Sequence, residues 1–470
     1  MSIKDRYVLS REKRLTTISH YDGTLGGLWD ELTGQEIRQR VRTFTQDSYS
    51  EIQYALHLLG SIRDTAIVVH GAIGCAASGI YYNVKDDGAY WYSTNLKERD
   101  TILGGDNQLR EAVLRAQEET GAKAVFVVGT PVIAINNDDV SSILLELEDE
   151  IPVPCIFINV DGFKTKAGIN GCDVVAHALA KYVVKKAPEK EDFVNLISMT
   201  EKKADVEAAK ELLTTVGVRA NVVGRFSGIA DIQAAGAAKA SVVLDSDEGG
   251  YFAELLEEGY GVEYIQTDAP IGIRGTRHFL EKLAGGLKDE ALTERIGDYF
   301  DREQEKLKRY TGRKRLDGRR VFLHTTVSRA KVYARLIVEL GGEVAGIAVP
   351  YIDPEIKEKL AALAKEQPEL PIVVAGGQPY ELANIVRRVE PYFYLSDRGE
   401  FAFLDGTDVI PLPLSGISTV GYDGVAALAN RIEKLLKGLE RAAGYGSEPT
   451  IYKETWLKRS SNWYVKQEVR

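Results

Sequence analysis

The chain has 470 residues, room for two to four domains at roughly 100–200 residues each, and its 44% hydrophobic and 27% charged content is ordinary for a soluble globular protein. Lys and Arg number 59 against 69 Asp and Glu, and the resulting net charge of -10 repels phosphate backbones, which speaks against generic nucleic-acid binding. Three cysteines with no CxxC pair exclude a zinc ribbon, a thioredoxin motif and a disulfide framework, and make the cytoplasm the natural setting.

Residues 1–43 read as a polar N-terminal leader. Lys4, Arg6 and Arg11 are followed by no apolar h-region, so no secretory signal is expected. No run reaches the ~18 apolar residues of a membrane span. The longest, from Ala124 to Ile135, holds Gly129 and Pro131 and reads as a buried strand plus a loop.

From there short apolar strands alternate with amphipathic helices, the signature of parallel α/β layers. The alternation occurs three times and predicts Rossmann-like domains at 44–190, 191–316 and 317–440. In the first, strands are predicted at 65–69, 124–128 and 155–159, with a helix at 109–119 whose Leu109, Ala112, Val113 and Ala116 share one face. The second opens after a charged linker, with strands at 193–199, 220–223, 241–244 and 261–265 and helices at 205–214 and 250–258. The basic run from Glu305 to Arg315 reads as a solvated helix end. Strands at 321–324, 344–349, 372–375 and 393–395 make the third, with helices at 331–340 and 380–388. Val216-Gly217 and Leu340-Gly341 are helix C-cap signals. Residues 441–470, with Trp456, Trp463 and Tyr464 among charges, read as a tail for subunit contact.

Several common chemistries are missing. There is no GxxxxGK[ST], no GxGxxG after a strand, no HExxH and no GxSxG, and the six histidines form no local ligand pair. This chain is therefore expected to bind no nucleotide. The first predicted strand runs into His70-Gly71-Ala72-Ile73-Gly74-Cys75. Glycines there let a ligand approach the backbone, and a thiolate at a sheet's carboxyl edge is a natural iron ligand. The residue alone reads more simply as a small packed side chain. Cys155 heads an apolar strand and reads as core. Asp245, Asp247 and Glu248 follow a strand; they read more simply as a helix N-cap with an acidic first turn than as a cation site.

Taken in order, four segments carry a family resemblance. The His70-Gly-x-x-Gly-Cys75 segment resembles the HGxxGC segment of nitrogenase component 1 subunits. The run from Tyr92 through Glu98 and Asp100 to Gly104-Gly105, the stretch from Val153-Pro154 to Gly162-Phe163, and Gly421-Tyr422-Asp423-Gly424 are similar to further family segments. The resemblance covers roughly residues 45–440 and implies three tandem Rossmann-like domains with parallel sheets around a central cavity. It implies that Cys75 is a metal ligand of an Fe–S cluster, [4Fe-4S] or larger, at a subunit interface. The family's other two interface cysteines fall on Tyr49 or Ser50 and on Thr130 or Pro131; Ser50 and Thr130 are oxygen candidates. The cofactor-holding Cys and His fall near Asp245 and Pro411, so a molybdenum–iron cofactor held in the usual way is not expected. Cys172 stands where the family places a substrate-side His, at a helix start whose dipole favours a thiolate, and is the candidate cavity residue; the alternative is a packed small residue. The implied assembly is a hetero-oligomer, α2β2 in type, with a homologous subunit, served by a separate ATP-dependent iron protein. Three functions follow as expectations: a low-potential reductase subunit, a cofactor-maturation scaffold, and a metal-free structural subunit.

Overall fold

The computed structural model describes residues 18, 20–34, 49–83, 88–163, 167–311, 315–375, 379–399, 401–405 and 407–444. Most of the expected leader, and the tail beyond Gly444, lie outside the described residues. Strand β1 (Tyr21–Thr24) and helix α1 (Leu25–Thr33) fall within the leader range, yet β1 joins the third sheet and α1 packs against the helix at Pro354–Glu366 of the same unit.

The first sheet follows helix α2 (Glu51–Leu59). In chain order come β2 (Thr65–His70), α3 (Ile73–Asn83), β3 (Tyr90–Ser93), α4 (Glu98–Leu103), α5 (Asp106–Thr120), β4 (Ala124–Gly129), α6 (Pro131–Asn136), α7 (Val140–Glu146), β5 (Cys155–Asn159) and α8 (Asn170–Tyr182). Its four strands run in the order β3-β2-β4-β5, all parallel. Every residue of β2 and β4 is buried, because helices cover both faces of the sheet and select continuous apolar runs. The four helical positions predicted to share a face, Leu109, Ala112, Val113 and Ala116, are the buried ones of α5. The expected loop after β4 is instead a short helix, opened by Pro131 at a position that needs no N–H.

The second sheet takes β6 (Glu191–Ser198), α9 (Lys203–Thr215), β7 (Ala220–Gly224), α10 (Ile229–Ala234), β8 (Ala238–Val243), α11 (Ser246–Tyr260) and β9 (Glu263–Tyr264), in the parallel order β7-β6-β8-β9. Helices α12 (Gly272–Leu287) and α13 (Glu290–Thr311) lead to the third unit, and Lys306 and Lys308 of α13 pair with Glu303 and Glu305 on its exposed side. That unit comprises β10 (Arg320–His324), α14 (Val327–Glu339), β11 (Glu343–Val349), α15 (Pro354–Glu366), β12 (Pro371–Val374), α16 (Pro379–Val389), β13 (Phe393–Ser396), β14 (Ile410–Pro413) and α17 (Gly421–Gly444). The order is β1-β12-β11-β10-β13-β14, parallel except for β1. The chain is thus three parallel-sheet α/β units. Gly217 and Gly341 end their helices at φ of 80° and 81°, a left-handed conformation that suits glycine at both C-cap signals.

Strand registers align the carboxyl ends within each sheet. His70 lies opposite Gly129, and Gly129 opposite Asn159. Ser198 lies opposite Gly224, and His324 opposite both Ala348 and Ser396. The segments after the carboxyl ends of the second and third sheets meet each other, and they meet the first unit through α2 and the residues before β2. Arg63 and Phe226 exchange backbone bonds with Ser227 and Ser61, joining the first to the second. Lys202 donates to the Leu414 and Ile417 carbonyls, joining the second to the third. The Arg398 guanidinium reaches the Tyr54 hydroxyl at 2.9 Å, joining the third to the first. Among the described residues no helix is long and apolar enough to cross a membrane.

Candidate functional site

Chemistry-bearing side chains gather in two places, the carboxyl edge of the first sheet and the junction of all three. At the first, β2 ends in Gly71, whose φ is 155° and where a Cβ would come within 2.5 Å of the Thr130 hydroxyl. Only glycine passes there, and α3 starts two residues later. Cys75 occupies its first turn, half-buried, with its N–H on the Ala72 carbonyl at 3.0 Å. Exposed apolar side chains are found on the elements of the same edge: Ile73, Ile102 (81% exposed), Leu103, Ile135 and Phe163. Helices α4 and α6 are tied together by Asn136, which donates to the Thr101 carbonyl at 3.0 Å.

The remaining positions implied by the resemblance bring no second thiol. Ser50 caps α2 and donates its hydroxyl to the Gln53 side chain at 3.1 Å. Tyr49 lines the central cavity, and Pro131 opens α6. Thr130 is buried, with a hydroxyl oxygen that makes no hydrogen bond. Among the described residues no group of three or more His, Cys, Asp or Glu is arranged to hold a metal ion. Fe–S clusters are held chiefly by cysteine thiolates. One thiol suits a cluster shared with a second chain and does not suit one held by this chain alone. Behind this edge lies His70, with Nδ1 3.1 Å from the Thr94 hydroxyl and Nε2 3.6 Å from the Asp138 carboxylate. Burial pushes its imidazole down to about 4, and burial with nearby Asp106 pushes the Asp138 carboxyl up.

The other cysteines lie elsewhere. Cys172, the expected cavity residue, is wholly buried in the first turn of α8 and directs its thiol at the Tyr54 carbonyl, 3.9 Å away. It packs where α8 crosses α2 and is not among the residues lining the central cavity; its surroundings are those of a packed small side chain. Cys155 is half-buried on edge strand β5, its thiol pushed up to about 12 by burial and then by Glu148.

The junction of the three units encloses a cavity of about 330 Å3. Tyr54 and His57 reach it from α2, Arg225 and Glu248 from the second unit, and Asp397 and Arg398 from the third. One wall is a buried ionic network. Arg329 stands 3.1 Å from Asp245, 3.3 Å from Glu201 and 3.0 Å from Asp397. Burial pushes the Asp397 carboxyl up, but Arg329 and Arg398 pull it further down and hold it below the usual range. Glu201 is raised, chiefly by burial. Glu248 meets Arg398 at 3.3 Å and accepts from the Thr200 hydroxyl. Burial, then the charge of Asp245, pushes Glu248 up to about 8.

Asp245 is the N-cap of α11, as expected, and accepts from the Asp247 N–H at 2.9 Å. It also accepts from the Thr326 and Ser328 hydroxyls at 2.7 and 2.6 Å, which stitches the second unit to the third. Asp247 pairs with Lys359 at 2.6 Å. Pro411 lies exposed on edge strand β14. Among the described residues the cavity therefore offers no thiol, and Asp245 and Pro411 stand where the resemblance implies the cofactor's Cys and His, so a metal–sulfur cofactor held in that way does not fit it. Glu201, Arg225, Arg329, Asp397 and Arg398 had not been singled out in the sequence. Their shared signal is position, since each stands within a few residues of a strand's carboxyl end.

The family model for nitrogenase component 1 type oxidoreductases matches residues 54–437. The nitrogenase molybdenum-iron protein alpha chain of Methanosarcina barkeri is 26% identical over 332 residues, 64% of this chain and 61% of that one. The nitrogenase iron-molybdenum cofactor biosynthesis protein NifE of Rippkaea orientalis is 28% identical over 396 residues, 79% of this chain and 81% of its own length. A solved structure described as nitrogenase Cp1 at pH 5 shares the fold, with a TM-score of 0.74 and 19% identity over 96% of this chain and 99% of that one.

Proposed function

The chain belongs to the nitrogenase component 1 type oxidoreductase family, and on that premise we propose that it is one subunit of a component 1-like complex, reducing a substrate at low potential with electrons from a separate ATP-dependent iron protein. The observation that carries this reading is Cys75, a single half-exposed thiol on the sheet edge that also presents exposed apolar side chains. It has the form of half a cluster site. Its complement is a homologous subunit bringing the remaining thiolates, in a cytoplasmic α2β2-type assembly. The cluster would supply one-electron storage at low potential. This chain's residues do the rest: Gly71 lets β4 approach closely, and the apolar rim excludes water when the partner docks. ATP use belongs to the iron protein, in keeping with a sequence that lacks a phosphate-binding loop.

Iron and sulfide measured on the co-purified complex test this directly. Iron that disappears with Cys75→Ala supports the shared cluster, whereas an iron-free complex rules it out. A second reading, a cofactor-maturation scaffold, is favoured by a central cavity without the usual cofactor ligands. Turnover with an iron protein and ATP supports the reductase; transfer of a cluster to an acceptor without turnover supports the scaffold.

A further inference from the structure

The third unit meets the second in one more cleft, of about 560 Å3, larger than the junction cavity and within the range of about 300–1,000 Å3 usual for small-molecule sites. It opens beyond the carboxyl end of β9, the end of a parallel sheet at which α/β folds take ligands. Helical spacing builds two of its walls. Ser246, Gly250 and Glu254 recur every fourth residue on α11 and so share one face, and Ser328 and Lys331 are one turn apart on α14. The intervening Glu248 and Arg329 line the junction cavity, so these two helices separate the two spaces. No aliphatic side chain lines the cleft, and every lining residue except Gly250 carries a polar side chain. We propose that this cleft binds a neutral polyhydroxylated ligand of the sugar class. All its residues belong to the second and third units, so it stands apart from the Cys75 reading.

The ammonium groups of the lining are already matched. Lys331 lies 2.9 Å from Asp268, which Arg335 also holds at 3.0 Å. Lys359 lies 2.6 Å from Asp247 and donates to the Ser246 hydroxyl at 2.8 Å. Glu254 and Glu358 add further carboxylates to the walls. No ammonium is left over to hold a phosphate or a carboxylate, and an anion would meet more carboxylate than ammonium. The other groups supply hydrogen bonds of both senses. The side chains of Tyr264, Gln266 and His278 make no hydrogen bond to another described residue. Tyr264 is half-buried, and its hydroxyl reaches the space beside Gly250, where a Cβ would lie 3.5 Å from it. A sugar hydroxyl both donates and accepts, so it needs carboxylate or amide oxygens on one side and O–H or N–H groups on the other. Asp268, fixed by two cations, and Gln266 offer the first; Tyr264, His278 and Lys331 offer the second. A hydrocarbon ligand would find no aliphatic side chain to pack against.

The test is titration calorimetry of the purified full-length protein with D-glucose, maltose and myo-inositol, against inorganic phosphate and spermidine as the anionic and cationic probes. The variants are Gly250→Leu, which places a side chain in the cleft, Gln266→Ala and Tyr264→Phe. Gln266 is exposed and Tyr264→Phe keeps the ring, so these two stay informative even where Gly250→Leu disturbs the helix, and a melting curve close to that of the parent verifies each fold. The expected result is one polyol per chain, abolished by Gly250→Leu and weakened about fivefold by Gln266→Ala and by Tyr264→Phe, each of which removes one neutral hydrogen bond. Failure of all three polyols to bind overturns the proposal and leaves a cleft filled by solvent. Tighter binding of phosphate or of spermidine overturns it too, as does polyol binding that the three variants leave unmoved. Iron per chain is counted in the same samples. An iron-free protein that still binds a polyol through these residues supports the proposal and counts against the shared cluster alone.

Discussion

Cys75 and Cys172 differ by environment more than by chemistry. The first is half-buried on an apolar edge; the second is wholly enclosed between two helices. Cys75→Ala removes a thiol and little buried surface. The expected outcome is loss of cluster iron with a melting temperature within about 2 °C of the parent, read by metal analysis and circular dichroism. Cys172→Ala leaves a small void in the core. It is expected to keep the iron and to lower stability by about 1 kcal/mol, read by urea denaturation. Reversal of the two iron results would exchange the roles assigned to these thiols. Glu248 adds a pH signature. Its folded value, about 8, lies above the ordinary carboxyl value near 4.5. Below that ordinary value it is protonated in both states and its contribution to stability is fully present. As pH rises the unfolded chain gives up the proton that the folded chain keeps, so the contribution falls and is lost once pH passes about 8. Glu248→Gln stays neutral throughout. Denaturation midpoints between about pH 5 and pH 8 should therefore decline less steeply in the variant than in the parent.

Between elements, the cavity wall is secured by charge and the α2–α8 crossing by close approach. Arg329 lies between Glu201, Asp245 and Asp397 and so binds α14 to the carboxyl ends of the second sheet. Arg329→Met leaves three buried carboxylates facing one another without their cation. A loss of about 3–5 kcal/mol in urea unfolding is expected, with Arg329→Lys falling in between. At the crossing, a Cβ on Gly171 would meet the Glu51 carbonyl at 2.0 Å. Gly171→Ala is expected to cost about 1–3 kcal/mol, although alanine favours an isolated helix by nearly 1 kcal/mol. The same elements explain what could be read from the sequence. Central strands β2 and β4 are buried on both faces and announce themselves as continuous apolar runs. Edge strands β5 and β7 were still apolar enough to be read, but two others were not: β3 is half-exposed aromatic, and β14 carries Pro411 and Pro413, tolerated only because a sheet edge leaves its N–H groups unused. Cys75 could be singled out as a candidate because its motif is local. The ionic wall as a whole could not be: Asp245 stood out as a helix cap, but positions 201, 329, 397 and 398 share no spacing with it and converge only where the segments after β6, β8, β10 and β13 meet.

At the scale of the whole molecule the exposed apolar edge near Cys75 decides whether the chain works alone. Isolated exposed apolar residues are ordinary on a protein surface, but several large ones on one face mark a contact surface. Ile102 and Ile135, 81% and 72% exposed, lie on two helices joined by the Asn136 bond to Thr101. Neither supports the core, so the paired change Ile102→Asp and Ile135→Asp should leave the melting curve of the isolated chain unmoved. Docking would bury two carboxylates in an apolar contact with no partner cation, a cost of several kcal/mol and enough to split a micromolar complex. Size-exclusion chromatography of the co-expressed subunits should then show separate chains. Their iron should fall to the level of Cys75→Ala, because half a cluster site holds no cluster. Val338, 60% exposed on α14, is the control: Val338→Asp adds a charge at another exposed apolar position, in the third unit, and should leave assembly and iron intact. Dissociation by Val338→Asp, with the paired variant still assembled, would move the partner to another face and detach Cys75 from it.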